Sequence, residues 1–245
     1  MTPAPVLSRT VSAILIATAY AMPLAVLPGL IQDAAGLPKL AVLAVSTALL
    51  CGAGIARVFV YRDKLCPGIP ILAPLLALLA ASALSAAGTA APGETLHALL
   101  ALAALVTATL LASSLPAREP LLNAVMISSA IVALYGIGQF AGFEPLRWAP
   151  HFKPRVFSTL GNPVFLGGFV AAVFPIAFAR WLFTEKEETK DLLVLLLTAL
   201  ALTAYLTWTR SSWLAIAASA ALQAAVLASD SNGRRLLFSN RAWLL

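Results

Sequence analysis

Residues 192–208, LLVLLLTALALTAYLTW, decide the class of this chain. The run of 17 residues has no charged side chain, and it lies at the lower end of the about 17–25 residues with which a helix crosses a bilayer. The rest of the chain has the same character, because 61% of its 245 residues are hydrophobic and 11% are charged. Soluble domains have about 25% charged residues. The sequence therefore predicts an all-α polytopic integral membrane protein and excludes a cytosolic enzyme with one central core.

Charges, prolines and glycines divide the chain into about eight apolar runs, each a predicted transmembrane helix. These runs cover residues 11–31, 40–60, 71–87, 96–114, 121–140, 163–183, 192–208 and 213–228. Residues 1–142 form an N-terminal part with the first five helices, and residues 143–162 form an outward loop. Residues 163–229 contain the last three helices. Residues 230–245 are predicted to be a cytoplasmic tail that ends like the approach to a further span.

The distribution of Lys and Arg predicts the orientation, because positively charged loops stay on the cytoplasmic side. With eight spans, eleven of the 16 Lys and Arg residues fall on one side and five on the other. Both termini are therefore predicted to be cytoplasmic. Topology and contact with anionic lipid explain the net charge of +6, so no nucleic acid partner is expected. The five outward cations are Lys39, Arg147, Lys153, Arg155 and Arg210.

Four of these outward cations lie in two places, the loop before the sixth span and the link between the seventh and eighth spans. Because the sixth and seventh spans form an antiparallel hairpin, Arg155 and Arg210 are predicted to be neighbours. Such a pair suits a lipid-linked pyrophosphate, since guanidinium groups match phosphate oxygens and the start of the sixth span adds N–H groups. Alternatively, these arginines anchor the chain at the membrane interface, together with Trp148 and Phe152.

The sequence contains no motif for nucleotide, cofactor or metal binding. The chain has no Walker A loop, no dinucleotide fingerprint and no cluster with metal-ligand spacing, so neither a cofactor nor a metal is predicted. Cys51 falls in a span and Cys66 in a cytoplasmic loop, so a disulfide is not expected. Gly167 and Gly168 lie within the sixth span, where small residues let helices approach closely.

Two motifs in the second half of the chain resemble the O-antigen ligase and polymerase family. Residues 155–168 read RVFSTLGNPVFLGG, an Arg followed by a small-residue turn and an Asn-Pro pair that leads into a membrane helix. Residues 207–215 read TWTRSSWLA, which is similar to the family's Thr-x-Ser-Arg pattern. Thr209 stands where the family usually has Ser, and Ser211 stands where it usually has Gly.

The resemblance implies a glycosyltransferase, multi-pass in the inner membrane, that works at its outer face. Such proteins transfer a glycan from an undecaprenyl-pyrophosphate carrier to lipid A core, another glycan or a protein, and need no metal or nucleotide sugar. The resemblance implies that Arg155 and Arg210 bind the donor pyrophosphate and that Thr209 belongs to the same site. Asn162 and Pro163 then shape the turn, with Asn162 as a further donor to phosphate.

The chain also departs from the family, whose members have more spans and a large outward loop with a His and further Arg residues. It is therefore expected to be the N-terminal portion of a longer protein or a shortened relative, and its catalytic residues are unknown. Glu94, Glu144 and His151 are the outward candidates for a base. A bicarbonate-type transporter and a non-catalytic assembly subunit stay open as alternatives, although the scarcity of charge within the spans argues against transport.

Overall fold

The computed structural model describes residues 4–30, 33–60, 69–115, 117–146, 148 and 155–229. Within these residues the chain is helical and has no strand, which confirms the predicted all-α class. It forms eight α-helices, a π-helical turn at Ala56–Val60 and a 3-10 turn at Ser158–Leu160. The α-helices are α1 (Ala4–Leu24), α2 (Gly36–Ile55), α3 (Ile69–Ala86), α4 (Pro92–Ser113), α5 (Glu119–Phe140), α6 (Pro163–Phe183), α7 (Glu187–Leu206) and α8 (Arg210–Ser229).

Six of these helices, α2 and α4 to α8, are long and apolar enough to cross a bilayer. In α3 the apolar helix found among the described residues is shorter and covers Leu72–Ala86. The fold is therefore that of a multi-pass membrane protein. The full count of eight spans and the cytoplasmic position of both termini stay predictions.

The first helix differs most from its predicted span, because α1 ends at Leu24 rather than continuing through the next two turns. Continuation would require the backbone N–H of Leu27 to bond the carbonyl of Pro23. Instead, the Leu27 N–H donates to the carbonyl of Ala34 at 2.8 Å. The Pro23 carbonyl accepts from the hydroxyl of Thr159 at 2.7 Å. A side chain far along the chain thus satisfies the carbonyl that the helix leaves unpaired.

The chain forms two compact units, each with its own apolar core. The first unit comprises residues 1–22 and 37–124, and the second comprises residues 23–36 and 125–245. The core of the first unit contains small and branched residues from α1, α2 and α4, with one more just after α4: Val11, Leu15, Leu50, Ala53, Leu111 and Leu115. In this unit a hydrogen bond of 2.8 Å also joins Thr18 of α1 to Ser46 of α2.

In the second unit α6 is the central helix and packs against both α7 and α8. Buried apolar side chains recur at helical spacing along one side of α6, and a matching row lies on α7. These residues are Leu166, Val170, Val173 and Ala177 on α6, and Leu193, Leu196, Leu200 and Ala204 on α7. The link between α6 and α7 is short, so the two helices are antiparallel neighbours, as the sequence predicts. The start of α6 and the end of α7 consequently lie at the same end of this bundle.

Candidate functional site

The Arg155 side chain lies against the link between α7 and α8. Its Nε donates to the backbone carbonyl of Thr207 at 2.8 Å, and its Nη2 donates to the hydroxyl of Thr209 at 3.2 Å. A backbone hydrogen bond from Val156 to the carbonyl of Leu206, at 3.3 Å, continues the contact. Residues 52 positions apart in the chain are thus joined at one end of the bundle. Both motif segments identified in the sequence therefore meet here.

Thr209 is buried and connects three segments of the site. Its hydroxyl accepts from Arg155 and lies 3.3 Å from the carbonyl of Pro163, at the start of α6, and 3.4 Å from that of Thr207. A hydroxyl has one hydrogen, so it donates to one of these two carbonyls at a time. The backbone N–H of Thr209 donates to the hydroxyl of Thr207 at 3.2 Å. Thr209 therefore fixes Arg155 relative to the N-terminal ends of α6 and α8.

The turn before α6 is built by Gly161, Asn162 and Pro163. Asn162 is the N-cap, with an extended backbone and an Oδ1 that accepts from the backbone N–H of Val164 at 2.8 Å. Pro163 occupies the first helical turn, where its missing N–H costs nothing, as predicted. Gly161 has a left-handed φ of 72°, and a Cβ there would lie 2.5 Å from the Cβ of Ala35. The cap uses only the acceptor Oδ1, so the side-chain NH₂ group of Asn162 takes no part in it and can donate to a ligand.

Arg210 is the first residue of α8 and is exposed. Within the described residues its side chain makes no hydrogen bond or ion pair. Arg155 is half-buried, and its Nε and Nη2 each donate one hydrogen bond to the protein. The other N–H groups of its guanidinium take no part in those two bonds. The site thus combines one anchored arginine with one exposed arginine, beside the N-terminal ends of two helices. Phosphate oxygens are the ligands that such donors favour.

Exposed aromatic rings surround the link between α7 and α8. Trp208 is 58% exposed and has a left-handed φ of 54°, which is uncommon outside glycine. The rings of Tyr205 and Trp213 stack with their centroids 5.8 Å apart, and both are also exposed. Trp and Tyr at the ends of apolar helices are typical of the membrane–water interface. Their placement fits a site at the depth of lipid headgroups.

Gln139, near the end of α5, holds the Arg155 segment at a second point. Its Oε1 accepts from the backbone N–H groups of Phe157 at 3.3 Å and Ser158 at 2.7 Å. Its Nε2 donates to a carboxylate oxygen of Glu144 at 2.7 Å. The sequence reasoning missed Gln139, because a single polar residue at the end of an apolar run gives no sign of its partners.

Glu144, which the sequence offered as a candidate base, accepts two hydrogen bonds in the structure. The hydroxyl of Tyr135 donates to one carboxylate oxygen and Gln139 to the other. The indole N–H of Trp148 donates to the Tyr135 hydroxyl at 2.8 Å, and the Trp148 ring contacts Phe157 edge to face at 5.2 Å. The carboxylate is exposed, yet both of its oxygens are occupied. This arrangement favours a structural role for Glu144 over proton abstraction.

The remaining candidates divide between exposed positions and residues that the structure does not describe. Glu94 is exposed in the first turn of α4. Predictions for Arg147, Lys153, His151, Phe152, Cys66 and the tail 230–245 lie outside the described residues. Among the residues that are described, no group of three or more His, Cys, Asp or Glu side chains could hold a metal ion.

Comparisons of the chain with protein-family models, curated proteins and solved structures found no significant match. The resemblance therefore rests on the two sequence motifs alone.

Proposed function

We propose that this chain binds a polyprenyl-linked pyrophosphate where Arg155 meets the α7–α8 link, and that it serves glycan transfer of the O-antigen ligase and polymerase type. The glycan donor is carried by undecaprenyl pyrophosphate at the outer face of the inner membrane. The acceptor is lipid A core, another glycan chain or a protein. The observation that carries this proposal is the contact of Arg155 with Thr207 and Thr209, directly before the exposed Arg210.

The chemistry of such a transfer explains why two arginines are useful. The hydroxyl oxygen of the acceptor attacks the anomeric carbon of the donor sugar and releases its proton to solvent water, and the bond from that carbon to a phosphate oxygen breaks. The electron pair of that bond leaves with the pyrophosphate, whose negative charge therefore grows in the transition state. Guanidinium donors that are already in place stabilise this charge without reorganisation. Arg155 and Arg210 take this role, and the N–H groups at the start of α6 add to it.

The direct test measures binding of farnesyl diphosphate, a short polyprenyl pyrophosphate, to the purified full chain in lipid nanodiscs. Arg210→Ala is the cleaner variant, because the side chain is exposed and makes no hydrogen bond or ion pair within the described residues. A hydrogen bond to a charged group contributes about 1.5–3 kcal/mol, so the Kd should rise about 10- to 100-fold. Arg155→Ala should weaken binding at least as much, and should also lower thermal stability because it loses its contacts with the α7–α8 link.

Replacement by Lys separates a binding role from interfacial anchoring. Lys keeps the charge but lacks the planar pair of donors, so Arg210→Lys should lose most of the affinity if phosphate contact is bidentate. An interfacial anchor tolerates this exchange. Arg118→Ala serves as the control, because Arg118 belongs to neither sequence motif, is exposed, and bonds the backbone of Ser113 through its Nη2 at 3.0 Å. An unchanged Kd in either Arg155→Ala or Arg210→Ala would exclude the proposed site.

A further inference from the structure

The Arg155 segment has two supports. The first is the α7–α8 link, which the guanidinium itself contacts. The second is the side-chain amide of Gln139, which accepts the two consecutive backbone N–H groups of Phe157 and Ser158. An amide can satisfy two donors in this way only if its oxygen faces them, and its NH₂ group must then find an acceptor on the opposite side. Glu144 supplies that acceptor.

We infer that Gln139, oriented by Glu144, is a positioning residue that holds Arg155 in the geometry that binds pyrophosphate. This inference rests on the proposed function. Glu144 accepts from Gln139 and from Tyr135, so an ionised carboxylate, which has acceptors only, satisfies both donors. A reversed amide would bring its NH₂ group against the N–H groups of Phe157 and Ser158. Glu144 thus determines which way the amide points.

The backbone at Ser158 shows that the segment needs such a support. Ser158 has a left-handed φ of 49° and is completely buried. A residue other than glycine is strained in this conformation, so the surrounding contacts must hold it there. The contacts are the bond to Gln139 and a bond of 2.6 Å from the Ser158 hydroxyl to the carbonyl of Val132 on α5. Without Gln139 the turn relaxes, and Arg155, three residues earlier, is displaced with it.

An exchange of the two side chains tests this relay. In Gln139→Glu the new carboxylate faces that of Glu144 at hydrogen-bond distance, so the two carboxylates repel and the hydrogen bond between these side chains is lost. In the double variant Gln139→Glu with Glu144→Gln, every hydrogen bond can form again. One oxygen of the new carboxylate accepts from Phe157 and Ser158, and the other accepts from the new amide, whose own oxygen accepts from Tyr135. The double variant also has the net charge of the wild type.

The measurement compares the Kd of farnesyl diphosphate with that of farnesyl monophosphate, using the full chain in nanodiscs. We expect Gln139→Glu to raise the diphosphate Kd about tenfold and to lower the preference for diphosphate, since a displaced Arg155 loses its contact with phosphate. The double variant should recover both values. Gln139→Leu, which adds no charge, should weaken binding as Gln139→Glu does, and this separates loss of the hydrogen bonds from simple repulsion of the anion.

The possible outcomes separate the two proposals. If the wild type shows no preference for diphosphate, or if Arg210→Ala binds as tightly as the wild type, the pyrophosphate site is wrong and this inference falls with it. If Arg210→Ala weakens binding while Gln139→Leu and Gln139→Glu bind normally, the site stands and the positioning role is wrong. If Gln139→Leu does not fold, the diphosphate Kd of the double variant, compared with that of Gln139→Glu, decides whether Gln139 has the positioning role. A double variant that folds and still binds as poorly as Gln139→Glu also overturns the inference.

Discussion

Replacement of Gly167 by alanine puts a methyl group where α6 crosses the first turn of α8. The new Cβ would overlap the hydroxyl of Ser212 and would lie 3.2 Å from the Cβ of Thr209 and 3.3 Å from that of Ser212. Neither neighbour can retreat easily. Ser212 is 2% exposed, and Thr209 is held by its bonds to Arg155 and the start of α6. Overpacking of this kind costs about 1–3 kcal/mol.

The adjacent Gly168 provides a matched control, because a Cβ at that position meets no atom of the described residues within 4 Å. Both substitutions replace glycine inside the same helix, which by itself stabilises by about 0.5–1 kcal/mol. This gain cancels when the two variants are compared, so the difference isolates the overpacking at the α6–α8 crossing. We expect Gly167→Ala to be less stable than Gly168→Ala by about 1–3 kcal/mol.

Thermal unfolding of the purified full chain in detergent, followed by tryptophan fluorescence, measures this difference. A change of 1 kcal/mol shifts the Tm of a chain of this length by about 2–4 °C, so the two variants should differ by about 2–12 °C. Ser212→Ala in the Gly167→Ala background should recover part of the loss. On its own Ser212→Ala should be neutral or slightly stabilising, since this buried hydroxyl has no hydrogen-bond partner among the described residues. Equal melting temperatures for the two alanine variants would refute the close approach of α6 and α8.

Two further predictions concern the turn before α6. Asn162→Ala should lower the unfolding free energy by about 0.5–2 kcal/mol through loss of the N-cap, whereas Asn162→Asp should keep the cap and weaken farnesyl diphosphate binding by charge repulsion. A thermal melt and a Kd on each variant check this. Equal diphosphate affinity in Asn162→Asp and the wild type would place the residue away from the ligand. Gly161→Ala should destabilise the protein by about 1 kcal/mol or more, because both its φ of 72° and the Cβ of Ala35 oppose a side chain. Adding Ala35→Gly should relieve the contact but not the backbone strain. Full recovery of the Tm in this double variant would therefore contradict the account.

Patterns with a local cause could be predicted from the sequence. The apolar runs, the sixth span from Pro163 to Phe183 and the position of Pro163 in the first helical turn follow from length, charge and the geometry of proline. The meeting of the Arg155 segment with the α7–α8 link followed from the hairpin of the sixth and seventh spans. In each case the information lies in the residues themselves or in the order of the helices.

Contacts with distant backbone atoms could not be predicted. Gln139 accepts hydrogen bonds from backbone N–H groups 18 and 19 positions away. Because backbone groups are nearly the same in every residue, no sequence pattern predicts which of them a side chain will contact. The early end of α1 has a similar cause, since Thr159 reaches the Pro23 carbonyl from 136 positions away. Gly167 and Gly168 look alike in the sequence, yet only the first faces α8.

The distance along the chain between Arg155 and its partners also sets an order of events during synthesis. Chains grow at about 5–20 residues per second, so Arg155 is made about 3–10 s before Thr207, which lies 52 positions later. During that interval the guanidinium can bond to water, to lipid headgroups or to residues that precede Thr207 in the chain, but not yet to the link between α7 and α8. Gln139, by contrast, precedes Arg155 and is present from the start. The support from α5 is therefore available first, and the contacts of Arg155 with Thr207 and Thr209 form only after the link between α7 and α8 has been made.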